Sequence, residues 1–124
     1  MAIHRHGEAV AHRLHGAAFH AYVNPSAGSE ELCAWRLEIG PGTRGTLHRV
    51  GREEVILLLA GRVTAETDGV TGELAPGDVL RVPGGAEFAI HNDGAETAEA
   101  WVTTSVGFEA TLPDGSTIAP PWTR

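Results

Sequence analysis

The chain has 124 residues, a formal net charge of −7 and one cysteine, Cys33. That length suits one domain with one core, a single cysteine excludes an intrachain disulfide, and the acidic balance argues against nucleic acid and anionic membranes as partners. Sixteen glycines and seven prolines demand frequent tight turns, which favours an all-β fold.

Met1 to His15 is polar and carries His4, His6, His12 and His15. Residues 1–16 are expected to form an N-terminal arm, with at most a helical turn over Ala9 to Leu14. Its apolar residues are interrupted by His, Arg and Glu, unlike a signal peptide. No stretch approaches the roughly 20 apolar residues of a membrane span, so a cytoplasmic location is expected. Phe19 to Val23 is a short strand closed by Asn24-Pro25-Ser26. Leu32 to Ile39 alternates, with Trp35, Leu37 and Ile39 on one face and Arg36 and Glu38 on the other. The expected strands continue with Thr46 to Val50, Glu54 to Ala60, Val63 to Thr67, Val70 to Leu74, Val79 to Val82, Glu87 to His91 and Thr97 to Val106. Asp68-Gly69 between two of them is a hairpin signal. Residues 17–107 make the barrel, and 108–124 form a tail with a last strand closing on it. Cys33 is expected as a buried thiol.

Two segments carry a recognisable spacing. Gly42 is followed by five residues and His48, then by Val50, Glu54 and, after six more residues, Gly61. Gly77 is followed by five residues, Pro83, Gly85, Phe88 and Asn92. This pair resembles the two signature motifs of the cupin superfamily. The resemblance implies a cupin jelly-roll β-barrel (a double-stranded β-helix) and a divalent metal held by three His and one Glu. Val50 and Phe88 stand where two of those histidines belong, leaving His48 and Glu54 as the residual motif positions. Catalytic metal sites use three protein ligands and one open position, so no cofactor is expected and a divalent metal is disfavoured.

Strand parity places His48 and Val50 on one face, and Phe88 with Ile90 on another, which should confront them across the cavity. It also places His91 outside the barrel. His48 and Glu54 are the candidate catalytic acid–base pair. Val50, Phe88, Ile90, Trp35, Trp101 and Tyr22 are the candidate ligand pocket. The expected function is binding of a small, partly apolar organic molecule, with metal-independent chemistry of isomerase, cyclase or lyase type. One alternative is a non-catalytic binding or sensing module. The other is an atypical divalent-metal enzyme in which His20 or a tail residue completes His48 and Glu54. The strand from Val55 to Leu59 lacks polar alternation. Its face carrying Val55, Leu57 and Leu59 is expected to be covered by a second subunit in a homodimer, or by the N-terminal arm.

Overall fold

The computed structural model describes all residues, 1–124. Thirteen strands follow one another: β1 (Val10–Leu14), β2 (Ala17–Val23), β3 (Leu32–Ile39), β4 (Thr43–Arg44), β5 (His48–Val50), β6 (Glu54–Ala60), β7 (Val63–Thr67), β8 (Val70–Leu74), β9 (Val79–Val82), β10 (Glu87–Asn92), β11 (Ala98–Ser105), β12 (Ala110–Thr111) and β13 (Thr117–Ile118). They form two sheets. The first runs β1-β2-β3-β11-β6-β9, and the second runs β13-β12-β5-β10-β7-β8, with β4 pairing β10. Every pairing is antiparallel. The all-β jelly roll expected from the motifs is the observed architecture.

Alternation builds the core. Along β11, Ala98, Ala100, Val102 and Thr104 are buried while their neighbours are half-exposed, the period of two that a strand imposes. Trp35, Leu37 and Ile39 from β3 join Ile56 and Leu58 from β6 on the same inner face. They pack with Val50, Val63, Ala65 and Phe88 of the second sheet into one hydrophobic cluster. Turn chemistry sets the register of two hairpins. His15-Gly16 and Asp68-Gly69 each place two consecutive residues at positive φ, the backbone of a two-residue turn that glycine makes accessible.

Three segments depart from the sequence expectations. Val10–Leu14 is neither a loose arm nor a helical turn but a strand paired with β2. The His15-Gly16 turn converts its Val/Leu alternation into a hairpin, and the polar composition concealed that pattern. The strand expected from Thr46 to Val50 is shortened to β5, His48–Val50, and a separate strand, β4, precedes it at Thr43–Arg44. Gly45 between them approaches β10 so closely that a Cβ there would lie 2.5 Å from the Ile90 carbonyl oxygen. The tail is more ordered than a closing strand and loop. β12 and β13 form a hairpin on β5, and Trp122 stacks on Phe19 with ring centroids 3.7 Å apart. Asn24 Nδ2 donates to the Trp122 carbonyl, and the buried Cys33 thiol to that of Thr123. Burial pushes the Cys33 thiol pKa up, which suits a structural thiol.

Candidate functional site

β5 and β10 bring the second sheet's part of the site together. His48 lies opposite Phe88 in register. Phe88 is therefore His48's neighbour on one sheet, not its counterpart across a cavity as expected. The two rings meet edge to face with centroids 5.8 Å apart. The His48 Nδ1 lies 2.8 Å from the Thr46 carbonyl oxygen. A carbonyl only accepts, so Nδ1 donates this bond, which in the neutral ring leaves the lone pair on Nε2. His48 is half-exposed, which places it at the rim. Val50, two residues on, is fully buried.

The first sheet supplies Glu54. It is paired with Val82 on one side and Thr104 on the other, and Thr104 in turn faces Cys33. All four lie on the inner face. Glu54 is only 5% exposed. No hydrogen bond or ion pair reaches its carboxyl, and burial alone raises its pKa to about 8. The usual reason for such a shift is desolvation of the charged form. Thr104 Oγ1, the nearest hydroxyl in register, is already committed to the Glu53 carbonyl at 2.7 Å. Nothing bonds His48 to Glu54 either, so they do not form a sealed structural pair.

Trp35 lies on the inner face, 3% exposed, and its Nε1 has no hydrogen-bond partner. Ile90 is half-buried against the core. Trp101 and Tyr22 do not belong to this lining. Trp101 pairs with Arg36 and Leu57 on the outer face of the first sheet, and Tyr22 packs against it there with centroids 5.4 Å apart. Parity decides this: Val102, not Trp101, shares a face with Trp35. His20 is also outside, its Nε2 3.3 Å from Glu38. His91 faces out of the barrel as expected, yet it is buried, accepting from the Gly45 N–H and lying 3.3 Å from Glu66.

These placements test the metal that the fold family implies. The donors on the inner face are His48 and Glu54. Val50 and Phe88 fill the other motif positions with hydrocarbon, His20 points away, and the tail residue opposite Val50 is Ala110. No three His, Cys, Asp or Glu side chains are gathered anywhere in the chain. This donor set does not fit the family's metal.

Two concavities are formed elsewhere. One, of about 310 Å³, lies between the N-terminal segment and the chain's end, with His4, Arg5, His12, Tyr22 and Arg124 in its wall. The other, of about 450 Å³, opens between the edge strands β8 and β9 and is lined by Ala65, Thr67 and Leu80 among others. Thr67 and Ala65 pair with Phe88 and Ile90, and Leu80 precedes by two residues the Val82 that faces Glu54. This groove therefore opens beside the inner-face residues of the motif. The sequence offered a signal for it in the alternation of Val79 to Val82, which places Leu80 and Val82 inward together.

The sequence model of the cupin domain matches residues 35–105, and the chain belongs to that family. No curated protein sequence matches it. Among solved structures, it is similar to the polyketide cyclase RemF from Streptomyces resistomycificus, with a TM-score of 0.76 at 17% identity, covering 85% of this chain and 79% of that one. It is also similar to a predicted oxalate decarboxylase from Thermotoga maritima, at 0.74 and 19% identity over 84% of this chain and 98% of that one. A third is a putative sugar phosphate isomerase from Acidithiobacillus ferrooxidans, at 0.65 and 23% identity over 83% and 76%. At these identities the likeness establishes the fold, and the reaction has to be argued from the site. No helix is long and apolar enough to cross a membrane.

Proposed function

We propose that this cupin binds a small, partly apolar organic molecule inside the barrel and moves a proton on it without a metal. The observation that supports this most directly is Glu54, a buried carboxyl with no hydrogen-bond partner in the protein on a largely apolar inner face. A buried polar group without a partner is costly. A ligand that hydrogen-bonds to it would offset that cost. In this reading Glu54 serves as a general acid, because burial keeps its proton on near neutral pH. His48, with Nε2 unprotonated at the rim, serves as the base. An acid and a base on the inner faces of the two sheets suit an isomerisation, an elimination or a cyclisation, and a cyclase is among the structural neighbours. The groove between β8 and β9 is the mouth.

A second reading, binding or sensing without turnover, draws support from the missing contact between His48 and Glu54. The first test is a screen of aromatic and alicyclic fragments by amide correlation NMR. Shifts clustering at Val82, Phe88 and Ile90 are expected. Shifts confined to outer-face residues such as Trp101, or none at all, would remove the barrel as the site. With a ligand in hand, Glu54→Gln separates the readings. An enzyme retains binding and loses turnover, whereas a sensing module shows no turnover in either form.

A further inference from the structure

We propose that the cleft between the N-terminal segment and the chain's end is a second binding site, which takes a compact organic oxyanion, a carboxylate or a phosphate monoester, on the guanidinium groups of Arg5 and Arg124 with the imidazoles of His4 and His12 beside them. This site is separate from the barrel interior and does not depend on what the barrel binds.

Charge singles the cleft out. The chain has nine arginines, no lysine and sixteen acidic residues. Arg36, Arg44, Arg49 and Arg81 each meet a carboxylate within 4.0 Å. Arg5 and Arg124 meet none. Both nevertheless stand in the wall of one cleft of about 310 Å³, together with His4 and His12. Glu8 is the one acidic side chain in that wall, and it joins no ion pair. The main-chain carboxyl of Arg124 is engaged by Ser26, whose Oγ donates to its oxygen at 2.6 Å. Cations gathered without a counter-charge repel one another, and an anion between them relieves that repulsion.

Contacts between distant parts of the chain assemble the walls. His6 Nδ1 and the Tyr22 hydroxyl lie 3.1 Å apart, which ties the N-terminal segment to β2. Asn24 Nδ2 donates to the Trp122 carbonyl, which ties the chain's end to the turn after β2. The Trp122 ring also lies against His12, with centroids 6.2 Å apart. Arg5 and Arg124 thus reach one cleft from opposite ends of the sequence, and the walls are in place before a ligand arrives. Preorganisation of this kind lowers the cost of binding.

The chemistry of the wall selects the class. A guanidinium presents a planar fork of N–H donors that matches the oxygens of a carboxylate or a phosphate. Val10, Ala21 and Pro121 give the cleft an apolar side, which suits a short hydrocarbon body. Ligand sites span roughly 300–1,000 Å³, and this one, at the lower end, admits a single ring with its anionic head. An amine would add positive charge to a wall that already holds two guanidiniums. The histidines do not make a metal centre, because no three ligating side chains gather there.

The test titrates isotope-labelled protein with benzoate, phenyl phosphate, inorganic phosphate, benzyl alcohol and benzylamine. A mildly acidic buffer of low ionic strength favours imidazolium and leaves ion contacts least screened. Amide shifts are expected at Ala9, Ala21 and Ala27 in the cleft wall. Benzoate or phenyl phosphate should bind about tenfold tighter than benzyl alcohol, the worth of a charge-assisted hydrogen bond. The tighter of the two identifies the head group, and inorganic phosphate, which has no body for the apolar side, should bind more weakly than phenyl phosphate. Arg5→Gln and Arg124→Gln should each remove most of the advantage over benzyl alcohol. Arg13→Gln, at an exposed arginine of β1 outside the cleft wall, should leave it unchanged. An equal loss in Arg13→Gln would reduce the effect to general attraction by surface charge and overturn the site. Benzylamine binding as tightly as benzoate, or inorganic phosphate as tightly as phenyl phosphate, would overturn it as well. Shifts confined to Val82, Phe88 and Ile90 would also overturn it, while leaving the barrel-binding reading intact.

Discussion

Glu54 gives the fold an unusual pH dependence that can be worked out in sign and size. Burial lifts its carboxyl from an ordinary 4.5 to about 8. Below the ordinary value, folded and unfolded chains both hold the proton, and the titration of Glu54 contributes nothing to the pH dependence. Between the two values the unfolded chain has released its proton while the folded chain retains it. The folded state then binds more protons, so stability falls as pH rises. Above the folded value both states are ionised, and the loss levels off. Each pH unit in the window is worth about 1.4 kcal/mol, so the full effect approaches about 5 kcal/mol. Glu54→Gln removes the titration and keeps the shape. Urea unfolding of both proteins across this window should show a stability difference that grows steadily in favour of Glu54→Gln. A difference that stays constant with pH, whatever its size, would refute the claim that Glu54 is buried without a partner.

Other expectations follow from the same geometry. Val55 and Leu59 are 40% and 46% exposed on the outer face of β6, and β1 lies at the opposite side of that sheet and cannot cover them. A homodimer using this face should scatter light as about 26 kDa, twice the 13.0 kDa chain, and Leu59→Glu should halve that mass; a wild-type monomer at micromolar concentration counts against it. Val50→His with Phe88→His should lower apo stability by roughly 1–3 kcal/mol for each buried ring, and nickel or zinc should restore it by mass action. A melting temperature no more metal-sensitive than wild type would show the motif alignment to be wrong. Wild-type protein purified without an affinity tag should carry no stoichiometric zinc, iron, nickel or manganese by elemental analysis. Ile56→Ala, at a fully enclosed core position, should cost about 2–5 kcal/mol in denaturant unfolding.

The barrel was legible because its signals are local. Asp68-Gly69 announces a turn, Leu32 to Ile39 alternates, and the motif spacing ties distant strands to one architecture. Trp101 and Tyr22 were harder to place. Both are aromatic, and composition alone puts aromatics inside, but register against Arg36 and Leu57 turns Trp101 outward. Parity within one strand is readable from sequence, whereas parity between strands depends on pairing. The same limit misplaced Phe88, whose relation to His48 is a pairing rather than a confrontation. The polar composition of β1 hid its pairing with β2. The tail was concealed for another reason, because its order comes from partners far along the chain: Trp122 on Phe19, and Cys33 on the Thr123 carbonyl.

What the altered motif does to Glu54 follows from charge. At the position the family gives to a metal-ligating carboxylate, a cation nearby would hold the group ionised and acceptor-only. Val50 and Phe88 bring neither charge nor hydrogen bond, and Val82 beside Glu54 is apolar as well. Under those conditions the cheaper state of the same side chain is the protonated one. A substitution of two ligands by hydrocarbon therefore does more than delete a metal site, because it turns the remaining carboxyl from an acceptor into a donor. Restoring the two histidines should reverse that change, so the double variant that gains metal-dependent stability should lose the fall in stability with rising pH once the metal is bound. A variant that kept both properties at once would break the link between the two.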